Sequence, residues 1–132
     1  MERAEETVRS FCAALSRRDP EELAHCFSDD AVYHNVPLEP SNGRDAIRLA
    51  LAEQCEMFAA IEFRVLQIAA VGTTVLTERL DVVRLGDHVA EIPVMGVFET
   101  AGDCITAWRD YFDVAQVGRL LAPADDAVGS SA

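Results

Sequence analysis

Residues 61–114 read IEFRVLQIAAVGTTVLTERLDVVRLGDHVAEIPVMGVFETAGDCITAWRDYFDV, and this stretch decides the fold. It is rich in β-branched and aromatic residues and is punctuated by Val71-Gly72-Thr73, Leu85-Gly86-Asp87 and Ala101-Gly102-Asp103. The punctuation leaves four strand-length runs, roughly 61–70, 74–84, 88–99 and 104–114. Short glycine-centred turns join antiparallel neighbours, so the runs are expected to form a meander.

The chain before this stretch has the helical period. From Glu2 to Arg18 the residues Ala4, Val8, Phe11, Cys12 and Leu15 recur three or four apart, which is one apolar stripe of a helix. Asp19-Pro20-Glu21-Glu22 reads as an N-cap, a proline in the first turn and acids beside it, opening a short helix that ends near Phe27. Ser28-Asp29-Asp30 breaks it, Ala31 to Val36 follows as a short strand, and Pro37, Pro40 and Asn42-Gly43 mark a loop. A third helix begins near Arg44, carries Ala46, Ile47, Ala50, Leu51, Gln54, Cys55 and Phe58 along one side, and ends around Ala59 or Ala60. A last short helix covers 115–121, and residues 123–132 hold too few large apolar residues to pack. Helices followed by a curled, mixed or antiparallel sheet describe an α+β cone, one catalytic-sized domain over 1–122 with a flexible tail over 123–132.

Composition excludes several classes of function. Eleven Lys+Arg against 23 Asp+Glu give a net charge of -12, which repels phosphate backbones and anionic lipid surfaces, so neither nucleic acid nor membrane is an expected partner. No run approaches the ~20 apolar residues of a membrane span, and the charged opening MERAEETVRS is no signal-peptide core, so a cytoplasmic location is expected. The four cysteines are scattered without a C-x-x-C pair and read as reduced packing residues. His25 and Cys26 are adjacent and therefore point to different helix faces, so no metal is expected. His25, His34 and His88 read as surface or packing residues. There is no G-x-S-x-G elbow, no cysteine with a plausible histidine base and no glycine-rich phosphate loop.

Three segments carry polar residues in places where a strand has apolar ones. In TVLTERLDVVR (74–84), alternation puts Arg79, Asp81 and Val83 on one face, with Leu80 and Val82 on the other. Taken alone, Arg79 and Asp81 read as an exposed ion pair on a solvated face. In Trp108-Arg109-Asp110-Tyr111-Phe112-Asp113 the same alternation groups Trp108, Asp110 and Phe112. An acid flanked by two aromatics is poorly placed in open water, and a buried carboxylate needs a partner, for which Arg79 is the candidate. The alternative puts Tyr111 in the core and Asp110 on the surface. In Tyr33-His34-Asn35, the phenol and the carboxamide project together; they could hold a water molecule or cap the strand end. If Asp81 and Asp110 both touch Arg79, one shared proton makes the trio neutral, which leaves one acid and one base, as the opening of an epoxide by water requires.

Five segments together resemble the limonene-1,2-epoxide hydrolase family: Tyr33-His34-Asn35-Val36-Pro37-Leu38, Gly43-Arg44-Asp45-Ala46, Thr77-Glu78-Arg79-Leu80-Asp81-Val82, Gly96-Val97-Phe98 and Trp108-Arg109-Asp110-Tyr111-Phe112-Asp113. The similarity runs from about Val8 to Asp113. It implies the cystatin-like cone of the nuclear-transport-factor-like superfamily and a one-step hydration without metal or organic cofactor. It makes Asp110 the base, with Tyr33 and Asn35 holding the water, Asp81 the acid, and Arg79 the link between the aspartates. Alternation adds Val83 and Phe112 to the pocket, and the resemblance adds Phe58, Phe63, Ile92 and Val94. Gln54, Cys55 and Ala60 stand where bulkier apolar pocket residues are expected. The implied partners are a small apolar epoxide, water and a second copy of the chain through the open sheet face. An isomerase or cyclase of the ketosteroid isomerase type and a non-catalytic binding domain are the competing readings.

Overall fold

A computed structural model of the chain describes residues 2–122, and the expected tail at 123–132 lies outside them. Helix α1 (Glu2–Ala14) continues into a 3₁₀ turn (Leu15–Arg17) and a short helix α2 (Pro20–Ala24). Strands β1 (Phe27–Asn35) and β2 (Ser41–Asn42) precede helix α3 (Arg44–Met57). The meander follows as β3 (Ala60–Val71), β4 (Thr74–Leu85), β5 (His88–Ala101) and β6 (Cys104–Tyr111), closed by helix α4 (Val114–Leu121). The six strands form one mixed sheet in the order β2-β1-β6-β5-β4-β3. The meander pairs are antiparallel, and β1 joins β6 in parallel.

The sheet curls over α1 and the turn after it, where Val8, Phe11 and Leu15 are fully buried and Phe11 packs against the rings of Phe27, Phe98 and Trp108. Phe11 meets the Trp108 ring edge-on at 4.9 Å, which fixes the helix over the centre of the sheet. Gly72, Gly86 and Gly102 sit at the meander turns with φ near +60°, the left-handed conformation such turns need.

Four boundaries differ from the sequence reading. Helix α2 stops at Ala24 and not near Phe27, because Phe27 already pairs beside Ile105, whose N–H donates to the Cys26 carbonyl at 2.8 Å. Ser28-Asp29-Asp30 is not a break but part of β1; the register slips between Phe27 and Val32, so the two acids bulge outward, and Asp29 pairs with Arg44 at 2.6 Å. Helix α3 ends at Met57, since Ala59 already donates to the Arg84 carbonyl, and β6 ends at Tyr111, because Asp113 caps α4 through Gln116 N–H at 3.0 Å. Each time a strand pairing or a cap outside the local window set the boundary.

Candidate active site

Alternation along β4 sends Val75, Thr77, Arg79, Asp81 and Val83 to the concave, helix-covered face of the sheet. The reading of Arg79 and Asp81 as a solvated pair is therefore overturned: their side chains are 0% and 11% exposed. On β6 Trp108 and Asp110 face the same interior while Tyr111 is exposed, which disposes of the arrangement with Tyr111 in the core. The curl of the sheet over α1 decides this choice of face.

The Arg79 guanidinium holds both aspartates at once. Its Nε and Nη2 donate to the two oxygens of Asp81 at 2.9 Å each. Its Nη1 and Nη2 donate to the two oxygens of Asp110 at 3.1 and 2.7 Å. Only a planar, forked cation grips two carboxylates this way. The Phe63 ring lies 4.2 Å from its central carbon. Burial alone would favour a neutral Arg79, but the charges and hydrogen bonds of the two aspartates outweigh it and keep the side chain firmly cationic. Burial pushes Asp81 up to about 6, against the opposing pull of Arg79 and with a further push from the Asp110 charge. Three buried groups with one positive charge and two acids thus favour keeping a single proton, and Asp81 is placed to carry it.

Asp110 has a further partner that the sequence reading did not assign. Trp108 Nε1 donates to Asp110 Oδ1 at 2.7 Å. The two residues share a face two positions apart, which was legible; the direction of the indole N–H was not. The same indole stacks on the Tyr33 ring at 4.0 Å and 11°, so one tryptophan orients both the acid and the phenol.

Tyr33 and Asn35 reach the site because β1 runs parallel to β6, with Tyr33 opposite Trp108 and Asn35 opposite Asp110. Asn35 Nδ2 donates to the Tyr33 hydroxyl at 3.0 Å. Gln54 Nε2, from α3, donates to the same oxygen at 3.1 Å. Burial, reinforced by the Asp110 charge, raises the Tyr33 pKa and keeps it a neutral phenol. The hydroxyl's own proton is directed at Asn35 Oδ1, 3.3 Å away, so phenol and carboxamide are bonded to each other where they face the cavity. Gln54 thus joins the polar set instead of only interrupting an apolar wall. Of the other two departures, Cys55 is buried in the core and Ala60 is exposed.

These groups open onto a cavity of about 180 Å³. Tyr33, Asn35, Asp81 and Asp110 line one part of it, and Phe58, Phe63, Val83, Ile92, Val94 and Phe112 supply apolar wall. Arg79 lies beneath, covered by the acids it binds. Ile61 and Gln54 also line the cavity, as do Val117 and Leu121 of α4. The sequence reading placed a helix there without giving it a role; its apolar positions 117, 120 and 121 were the available signal. His88, bonded through Nε2 to the Leu120 carbonyl, anchors that helix. His34 bonds to the Leu38 carbonyl at 2.9 Å and His25 to the Glu21 carbonyl at 2.7 Å, both away from the cavity. Cys12 packs beneath the site, where burial pushes its thiol up to about 12.

Residues 2–121 match the family model described as the limonene-1,2-epoxide hydrolase catalytic domain. The chain belongs to the limonene-1,2-epoxide hydrolase family. It is 38% identical over 108 residues to epoxide hydrolase EphG of Mycobacterium tuberculosis, an alignment covering 81% of this chain and 71% of that protein. A solved structure of an M. tuberculosis LEH-like epoxide hydrolase superposes with a TM-score of 0.83 at 31% identity, covering 99% of this chain and 98% of that one. A Catenulispora acidiphila protein with a ketosteroid isomerase-like fold superposes with a TM-score of 0.80 at 22% identity, covering 91% and 95%; this shows a shared fold and nothing more. As a member of this family of epoxide hydrolases, the chain presents at the bottom of its cone the acids and the arginine that the resemblance singled out. Among the described residues no helix is long and apolar enough to cross a membrane.

Proposed function

We propose that the protein adds water to a small apolar epoxide, cyclic or terpene-like, in one step of general acid–base catalysis, giving a vicinal diol. The observation that carries this reading is the double grip of Arg79 on Asp81 and Asp110 at 2.7–3.1 Å, which makes a buried one-proton acid pair on one wall of an apolar cavity. Asp110, held as an acceptor by Arg79 and Trp108, takes a proton from water. Tyr33 and Asn35 orient that water, and Gln54 holds Tyr33. The water oxygen bonds to one epoxide carbon as the opposite C–O bond breaks, and Asp81 delivers its proton to the leaving oxygen. The reaction ends with the proton on Asp110 and Asp81 ionised, so the pair still holds one proton, and exchange with solvent after the diol departs restores the start. Water and epoxide account for every atom of the diol.

The apolar wall of Phe58, Phe63, Val83, Ile92, Val94 and Phe112 supports a hydrocarbon epoxide, with Gln54 adding one polar point of contact. A double cation contact disfavours the strongly raised carboxyl that an isomerase would use as an oxyanion donor. The reading extends to a homodimer through the outer sheet face, where Leu76, Met95 and Tyr111 are exposed, and light scattering tests it. It also places the protein in the cytoplasm, with four free cysteines as support.

The deciding experiment is a single turnover of limonene 1,2-epoxide by excess enzyme in ¹⁸O-labelled water. Full label in the first diol, with inversion at the attacked carbon, is expected. An unlabelled first diol would mean that a carboxylate attacked carbon and was later hydrolysed at its acyl carbon, and isomerisation without diol would exclude hydration altogether.

A further inference from the structure

The bridge between the two aspartates has a geometric difficulty. Arg79 stands on β4 and Asp110 on β6, and β5 lies between them, so the two side chains together must span two strand spacings, roughly 9–10 Å, and meet over the inner face of β5. Any ordinary residue at the meeting point would stand in their way. The registers identify that point: Thr77 of β4 pairs with Gly96 of β5, and Gly96 pairs with Asp110 of β6, so the three form one row across the sheet. Arg79 is the next inward residue after Thr77 and lies diagonally over the row.

Gly96 is buried in the middle of a 14-residue strand. Its backbone is not among the positive-φ glycines, so conformation does not demand a glycine there. A glycine inside a strand weakens it unless something needs close approach. A Cβ built at Gly96 would lie 2.2 Å from Arg79 Nη1, 2.6 Å from Asp110 Oδ1 and 3.0 Å from Thr77 Oγ1. The first two are far inside van der Waals contact, and the atoms they strike are those of the catalytic ion pair. Thr77 completes the seat: its hydroxyl donates to the Gly96 carbonyl at 3.2 Å and accepts from Arg79 Nη1 at 3.2 Å. It is fully buried, so this hydroxyl has no water to turn to.

We propose that Gly96 and Thr77 are positioning residues for the acid pair: Gly96 leaves the slot in which the Arg79 guanidinium meets Asp110 over β5, and Thr77 fixes the guanidinium in it. Neither touches substrate. Their effect passes through Arg79, whose charge sets how the pair shares its proton. The inference rests on the proposed hydration chemistry for its consequences in turnover, but the seat itself can be tested without any substrate.

The test uses the full chain as wild type, Gly96→Ala, Thr77→Val and Thr77→Ser. For each, three quantities are read: the thermal midpoint, kcat/KM against pH on limonene 1,2-epoxide, and the carboxyl ¹³C titration of the aspartates. In Gly96→Ala the guanidinium is forced away from Asp110, so the buried carboxyls titrate at higher pH than in wild type, and kcat/KM falls by about 10²-fold, the usual cost of an ångström of misplacement. Thr77→Val shifts the titration in the same direction with a smaller loss of rate, and Thr77→Ser restores both. A purely structural role would lower the thermal midpoint and leave the titration unmoved; that result, or a folded Gly96→Ala with wild-type rate and titration, overturns the proposal. Should Gly96→Ala not fold, Thr77→Val decides, and an unshifted titration there refutes it. Shifted titrations in an enzyme whose wild type hydrates no epoxide would sustain the positioning role and sink the proposed reaction instead.

Discussion

Replacing Asp81 with asparagine separates the proton that drives the chemistry from the stability of the fold. In the folded protein burial raises Asp81 from 3.8 to about 6, so the native state holds a proton that the unfolded chain has released. A group raised in this way stabilises the fold most below the unfolded value, and that contribution is lost as pH rises through the folded value, here between about 4 and 6. About two pKa units at 1.36 kcal/mol each amount to roughly 3 kcal/mol of stability lost by pH 8. The side chain is 11% exposed, so solvent screens little of this. Asparagine is neutral at every pH and keeps the shape, and Arg79 retains Asp110 as its counter-charge. About 2 kcal/mol of this is still present at pH 4.5, so the difference in thermal midpoint, variant minus wild type, should grow by about 8 °C between pH 4.5 and pH 8, at about 4 °C per kcal/mol for a domain of this size. Turnover should meanwhile fall by ~10²–10⁴-fold, because the epoxide oxygen has lost its proton donor. Calorimetry of both proteins across that pH range, with diol formation measured in parallel, makes the test. A flat difference, or one that shrinks with pH, would show that Asp81 is an ordinary salt-bridged carboxylate, and the argument for it as the acid would fail.

Asp110→Asn should abolish nearly all diol formation in a product assay, and an active variant would refute its assignment as the base. Tyr33→Phe and Asn35→Ala should keep a reduced but measurable kcat, since each removes one of several contacts to the water; complete inactivity in either would assign it a larger role. Arg79→Lys should lose at least ~10²-fold in kcat/KM even though charge is kept, because an ammonium cannot grip two carboxylates in a plane; activity close to wild type would show that charge alone suffices. In wild type, kcat/KM should decline as pH rises above about 6, where Asp81 gives up its proton, and a profile still rising at pH 8 would contradict the raised value.

The period of two along TERLD and WRDYF determined by itself that Arg79 and Asp81 share a face, and that Asp110 lies between Trp108 and Phe112. The glycine-centred turns determined the meander, because φ near +60° is a local requirement that local sequence meets. The five segments that carry the family resemblance were likewise legible as strings. Alternation, however, says only which residues lie together and never which face is inside. That was decided by the curl of the sheet over Val8 and Phe11 of α1 and Leu15 of the turn after it, a packing event between distant parts of the chain. Nor could the sequence show that β1 joins β6 in parallel, which brings Asn35 opposite Asp110, or that Gln54 reaches Tyr33 across 21 residues of chain. The slot at Gly96 exists only because β5 separates β4 from β6; in the sequence it is a glycine in a strand, and the reason for it is a guanidinium and a carboxylate that meet over it from the two neighbouring strands. Strand order and burial arise from long-range pairing, whose energy is shared among residues far apart, so they leave no local period to read.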